Sequence, residues 1–331
     1  MQNFTKAIFL SLLVFNISLV VAAEPKPVTE ALVDTLTKLA GGPHAGYRAN
    51  HAKGIVVTGQ FTPAKTAASI SKAAHLQDQT VPVTVRFSDG TGVPNIPDAD
   101  PNSFPKGMAI RFHLDSNVST DIVVISVNGF PAATPEDFLG LLNAIAASGP
   151  DVPKPAPIDQ FLESHPAALK FVTTPKLPPV SFATQPFYGV NAFKFTNAKG
   201  ETVYGRYRIE PVAGAHFLSA EEVAQTAPDY LMTELPARLQ QGAVEFRISI
   251  QVANADDVVN DATVVWPDDR KTVDLGTVSL TAMHADGAAY EKKTMFNPLL
   301  LVDGIAPTDD PILLARPGAY AVSFGRRISG Q

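Results

Sequence analysis

The chain has 331 residues, 45% of them apolar and 18% charged, with a formal net charge of −6. That length and apolar content suffice for one large core or two ordinary ones and rule out a chain disordered throughout. No block of lysines and arginines is present to hold a nucleic acid. The lack of cysteine excludes a disulfide framework, a zinc–cysteine site, an iron–sulfur cluster and a cysteine nucleophile.

Residues 1–23 read as an export signal. Lys6 supplies a positive start, Ala7 to Val21 is apolar apart from Ser11, Asn16 and Ser18, and Val21-Ala22-Ala23 offers small residues for cleavage before Glu24. The run is short for a membrane span and ends sharply at Glu24-Pro25-Lys26-Pro27. The expectation is a secreted, periplasmic protein with no stable membrane insertion after cleavage. Loss of Lys6 then takes the net charge from −6 to −7.

Val28 to Ala40 has the apolar spacing of a short helix, stopped by Gly41-Gly42-Pro43. Short β-rich runs follow at Ile55 to Phe61, Val81 to Ser88, Gly107 to Leu114 and Asp121 to Val127, separated by Gly, Pro, Asp and Asn. Regular spacing of this kind predicts an antiparallel sheet or barrel. Thr134 to Ala147 reads as a helix with Thr134 as N-cap and Pro135 in its first position. Residues 149–187 carry nine prolines, yet Phe161, Leu162, Leu169, Phe171 and Val172 make a packed, wrapping arm a better reading than a linker. That arm is also a candidate for intersubunit contact in a homo-oligomer. Ala192 to Phe195, Tyr204 to Ile209 and Phe246 to Val252 alternate like strands again. Between the last two, Ser219-Ala-Glu-Glu222 is a capping box, with a second helix expected around Tyr230 to Gln240. Strands on both sides of the arm are expected to close one barrel, so residues 24–331 form one domain.

Two short stretches near opposite ends carry the chemistry: Arg48-Ala-Asn-His51-Ala-Lys53-Gly54 and Arg316-Pro-Gly-Ala-Tyr320. The first sets a histidine beside fixed positive charge. The second sets a phenol one helical turn after an arginine, if that segment is helical. Taken singly, His51 reads as an ordinary histidine, Tyr320 as a core aromatic and Arg316 as a surface charge. None of the seven histidines falls in a His-x-x-x-His or His-Glu-x-x-His pattern, so a zinc hydrolase has no support.

Together the motifs resemble the haem catalases, and within them the small, secreted catalase-related peroxidases. The resemblance runs in order through Arg48 to Gly54, Val85-Arg86-Phe87-Ser88, Pro105 to Phe112, Val265-Trp-Pro267, Phe296-Asn-Pro298, Val302 to Ile305 and Leu314 to Arg327. It implies an α+β fold, a catalase-like antiparallel β-barrel with surrounding helices. In that fold Tyr320 is the axial ligand to the iron of haem b, and Arg316 supplies positive charge to its phenolate. His51 moves a proton between the two peroxide oxygens, and Ser88 orients its ring. Arg48, Arg86 and Arg327 pair with the haem propionates.

Two departures from the family pattern matter. Catalases carry a distal asparagine, but aligning on the preceding strand places Ser126 there, and a two-residue shift places Asn128 there. The chain also ends shortly after the proximal motif, without the C-terminal domains of larger catalases. The resemblance so qualified implies a peroxidase that reduces hydrogen peroxide or organic hydroperoxides with a small organic electron donor and has weak catalase activity. The rival readings are a haem hydroperoxide isomerase or allene-oxide-forming enzyme, and an exported haem-binding barrel without turnover.

Overall fold

Alternation along Val81 to Ser88 sends Val81, Val83, Val85 and Phe87 into a hydrophobic core and leaves Thr84, Arg86 and Ser88 on the other face. The same two-faced pattern recurs in the neighbouring strands and decides both the core and the site. The structure is a computed structural model describing residues 26–330 except 116, so the export segment expected over 1–23 lies outside the described residues. Helix α1 (Val28–Leu39) precedes β1 (Gly54–Pro63), β2 (Val81–Ser88), β3 (Gly107–Asp115), β4 (Val118–Ile125), α2 (Pro135–Ala146), α3 (Pro157–Ser164) and α4 (Pro166–Thr173). The second half holds β5 (Phe187–Tyr188), β6 (Phe193–Thr196), β7 (Thr202–Pro211), α5 (Ala220–Val223), α6 (Tyr230–Leu239) and β8 (Val244–Val252). It ends with β9 (Thr272–Met283), α7 (Gly287–Lys293), β10 (Ile305–Pro307) and α8 (Pro311–Ser329).

Eight antiparallel strands close a barrel in the order β1–β2–β3–β4–β5–β7–β8–β9, with β9 returning to β1. β6 and β10 extend the sheet from one end of β7. Closure removes the exposed edges that an open sheet would present. The interior is packed by Val57, Phe87, Met108, Ile110, Val124, Ile248, Val278 and their neighbours. Phe87 anchors an aromatic cluster there, with ring centroids 5.2 Å from Phe182, 5.9 Å from Phe187 and 5.8 Å from Phe246.

Two outward rows of the barrel wall prepare the site. One runs Val56, Arg86, Ala109, Val123 across β1 to β4, and the next runs Gly54, Ser88, Gly107, Ile125, Tyr188 across β1 to β5.

The predicted α+β barrel is thus present, with three local differences. β4 ends at Ile125 and not at Val127, because Ser126 turns back onto Lys106: its N–H donates to the Lys106 carbonyl and its Oγ accepts from the Lys106 N–H, each at 2.9 Å. The proline-rich stretch contains α3 and α4, each opening on a proline at a position whose N–H would be unpaired anyway. Finally, β9 is a full barrel stave where sequence showed no strand. Its apolar residues change phase between Leu275 and Val278, at a register shift beside Gly276, whose φ is 141°. A bulge moves the alternation by one residue and hides it from a period-2 search.

Candidate active site

Helix α8 carries Arg316 and Tyr320. Asp310 caps it, accepting from the N–H of Ile312 at 2.9 Å and of Leu313 at 3.2 Å, with Pro311 in the first position. Four residues make about one turn, so Arg316 and Tyr320 share a face. Arg316 Nε and Nη2 both donate to the Tyr320 oxygen, each at 3.1 Å. The third guanidinium nitrogen, Nη1, donates to Asn191 Oδ1 at 2.8 Å, and Asn191 Nδ2 donates to Asp310 Oδ2 at 2.8 Å. A hydrogen-bonded line therefore runs from the helix cap to the phenol.

The facing wall comes from the barrel. His51 sits just before β1 with φ 55°, a left-handed conformation that a non-glycine residue adopts only when its surroundings hold it. Arg86 Nη2 donates to the His51 carbonyl at 2.9 Å, and His51 Nδ1 lies 3.1 Å from Ser88 Oγ. Removal from water, followed by the charge of Arg86, lowers the His51 pKa to about 3, so the ring is neutral at ordinary pH. Gly107 lies directly beneath this pair. A Cβ there would come within 2.7 Å of Ser88 Oγ and 2.9 Å of His51 Nδ1. Behind the pair, the fully buried Lys106 donates to Asp89, and Lys53 donates to Asp98, tying down the loops on either side of β1 and β2.

Between these walls lies a cavity of about 260 Å³. Leu32, Val33 and Leu36 of α1 and Phe138 of α2 line it with apolar surface, and His51, Ser88, Arg316 and Tyr320 all face into it. Arg48, Arg86 and Arg327 also line it. Arg48 Nη2 reaches the carbonyls of Glu291 and Thr294, each at 3.2 Å, and Arg327 donates to Lys292 O at 3.2 Å and Thr294 O at 2.8 Å. Glu291 pairs with Arg86. Burial, then repulsion from Arg86 and Arg327, holds the Arg48 pKa well below the usual guanidinium range. Burial, then Arg86, lowers Arg327 to about 10. Three guanidiniums thus share one carboxylate, leaving two positive charges, as many as two propionates neutralise. A phenol, an imidazole, an apolar slot and unbalanced positive charge are what a haem needs. The residues present fit it.

A family model for catalase matches residues 44–331. The chain belongs to the catalase family. Members of this family are haem-dependent oxidoreductases that act on peroxide. A catalase-related peroxidase of Mycolicibacterium paratuberculosis is 35% identical over 290 residues, 87% of this chain and 91% of the relative. One from Synechococcus elongatus is 33% identical over 294 residues, 87% of this chain and 86% of the relative. A catalase of Alkalihalophilus pseudofirmus is 26% identical, over 85% of this chain but only 44% of its own length. A fungal catalase crystal structure superposes with a TM-score of 0.76 at 22% identity, covering 90% of this chain and 62% of the fungal one, which supports the shared fold.

Within this catalase-family site, His51, Ser88, Arg48, Arg86, Arg316, Tyr320 and Arg327 come together around one cavity. Ser126 and Asn128 do not line it. Ser126 is turned toward the Lys106 backbone, and Asn128 sits half-buried in the following bend. The wall beside Ser88 is instead Gly107 and Ile125, with Phe130 close by. Sequence reading missed Asn191, Gly107 and Glu291. Asn191 lies outside every motif. Glu291 sits in a charged run that resembles solvated surface. Gly107 was visible only as a residue of the Pro105 to Phe112 strand.

Proposed function

We propose that this protein is a peroxidase using haem b, reducing hydrogen peroxide or organic hydroperoxides at the expense of a small organic donor, with weak catalase activity. The observation that carries the reading is the cavity that His51 and the Arg316–Tyr320 pair enter from different walls. Bound haem supplies the iron at which the peroxide O–O bond breaks. Tyr320 would hold the iron through its phenol oxygen, and Arg48, Arg86 and Arg327 would hold the haem propionates.

The protein's own part is proton handling and positioning. With Nδ1 donating to Ser88 Oγ, His51 keeps the Nε2 lone pair free to take a proton from one peroxide oxygen and return it to the other. Neutrality across the ordinary pH range keeps that base available. The apolar wall of Ile125 and Phe130 offers no amide to a second peroxide, which favours turnover through an organic donor over oxygen release. Export through residues 1–23 to the periplasm belongs to the same proposal; among the described residues no helix is long and apolar enough to cross a membrane.

The test is an optical spectrum with two activity assays. A high-spin ferric haem that is lost in Tyr320→Phe, with donor oxidation outpacing oxygen evolution from peroxide, is the expected result. A protein colourless after growth with excess haem would overturn the cofactor. Rapid oxygen evolution with phenolic donors ignored would overturn the peroxidase preference.

A further inference from the structure

Four charged side chains lie behind His51, and the proton handling described above uses none of them. Lys106, Asp89 and Asp98 are fully buried, and the Lys53 side chain is 11% exposed. Desolvation offsets the attraction within buried ion pairs, so they return little net stability. Their worth here lies in what they hold.

Their bonds converge on the two residues that grip the His51 ring. Ser88 Oγ meets Nδ1, and the backbone of Asp89 is hydrogen-bonded to the same ring. The Asp89 side chain anchors that grip from behind, with Oδ1 accepting from Lys106 Nζ. Lys106 also donates to the Asp98 carbonyl and, at 2.7 Å, to Ser103 Oγ, so all three ammonium hydrogens are used. It directly precedes Gly107, which pairs with Ser88 across β2 and β3. On the other flank the Asp89 N–H donates at 3.0 Å to the carbonyl of Lys53, two residues after His51. Lys53 is fixed in turn by Asp98, whose Oδ2 accepts from the Leu231 N–H at 2.7 Å.

Asp89 Oδ2 has no hydrogen-bond partner among the described residues, and its carboxyl neighbours that of Asp98. Burial, against the pull of Lys106, raises Asp89 to about 7. Oδ2 is the oxygen free to take up that proton, so Oδ1 stays on Lys106 in either state. The anchor therefore holds on both sides of neutral pH. Neither Asp89 nor Lys106 lines the cavity, so any effect on the reaction passes through His51.

We propose that the Asp89–Lys106 pair positions His51, fixing the end of β2 so that Ser88 and Asp89 hold the ring in one orientation with its hydrogen on Nδ1. This rests on His51 as the proton carrier, but the ring can be read without any turnover.

The experiment removes the pair as a unit. Asp89→Leu combined with Lys106→Met keeps apolar bulk, strands no buried charge and withdraws opposite charges together. The double variant should take up haem normally and react with peroxide about ten- to hundred-fold more slowly. Its rate should also decline below about pH 6.5, as a loosened ring meets water. In the haem-free chain labelled with 15N-histidine, the His51 signals are assigned by their loss in His51→Gln. They should show one Nδ1–H tautomer in the wild type and a mixture in the double variant. Asp89→Asn, which restores an acceptor for Lys106, should recover both the single tautomer and the rate. A folded double variant with the wild-type tautomer, rate and pH profile would overturn the proposal. Should the double variant fail to fold, Lys106→Met alone makes the same comparison, since a buried Asp89 left without its cation protonates. If His51→Gln itself leaves the peroxide rate unchanged, the proton-carrier reading falls, and the tautomer still decides whether the pair positions the ring.

Discussion

Asn191 Oδ1 accepts from Arg316 Nη1 at 2.8 Å, linking a residue between β5 and β6 to the helix that presents Tyr320. The same amide donates to the fully buried Asp310, so one side chain satisfies a cation and an anion at once. Both partners keep their other bonds, which aim Arg316 at the phenol and cap α8. Asn191→Leu keeps the volume but leaves a half-buried guanidinium N–H and a buried carboxylate oxygen unpaired. Unsatisfied buried groups of this kind cost about 1–3 kcal/mol each. Urea unfolding of the haem-free chain should show a loss on the order of 2–4 kcal/mol, and a loss under about 0.5 kcal/mol would show that Asn191 is not a structural link.

The His51–Ser88 pair makes a kinetic prediction. His51→Gln should retain haem and lose on the order of 10²–10⁴ in the rate of reaction with peroxide, the usual contribution of a positioned acid–base group. The folded His51 pKa is lowered to about 3, chiefly by removal from water, so the base is neutral well below the usual imidazole value. The peroxide rate should therefore stay flat from pH 8 to about 4 and fall only as pH approaches 3. Stopped-flow measurement across that range checks it; a decline centred near pH 6.5, the ordinary histidine value, would place the ring in contact with bulk water.

Gly107 gives a steric version of the same test. Its missing Cβ is what lets Ser88 Oγ and His51 Nδ1 meet over the strand. In Gly107→Ala the new methyl must push one of them aside, and misplacement by about 1 Å can remove on the order of 10²-fold in rate. The expected outcome is normal haem content with a ten- to hundred-fold slower peroxide reaction. Wild-type rates in Gly107→Ala would mean that the pair has room to spare.

Much of this was legible in the sequence because it is local. The β-rich runs at Val81 to Ser88 and Gly107 to Leu114 and the motif that holds Arg86 and Ser88 are visible without any structure, and the four-residue spacing from Arg316 to Tyr320 is that of one turn of a helix. What escaped depended on distant pairing. The stave β9 escaped because a bulge at Gly276 breaks its alternation. The role of Gly107 depends on its standing across the sheet from Ser88, a register that sequence alone does not set. Asn191 and Glu291 matter through partners more than a hundred residues away, so no spacing rule could find them. At Ser126 the signal was ambiguous for a physical reason. The strand ends one residue earlier, and the side chain spends its hydrogen bond on the Lys106 backbone.

The last prediction concerns acid stability and lies in the barrel core. His75 is 2% exposed, its ring 4.8 Å from that of Phe112, and its Nδ1 has no hydrogen-bond partner among the described residues. Burial lowers its pKa to about 4 from an unfolded value of 6.5. Above pH 6.5 neither state is protonated there and His75 contributes no pH dependence. Between pH 6.5 and about 4 the unfolded chain binds the proton and the folded one does not, so stability falls as pH falls. At about 1.4 kcal/mol per pH unit the loss is roughly 3 kcal/mol. His51, also lowered, adds to the slope over the same range and further down. His75→Phe puts a third aromatic beside Phe61 and Phe112 and removes its share of the slope. Urea unfolding of wild type and variant at pH 7 and pH 4 should show the difference between the two pH values shrinking by roughly 3 kcal/mol in the variant. An unchanged difference would mean that His75 takes up its proton within the folded barrel, with water reaching a core that the packing closes.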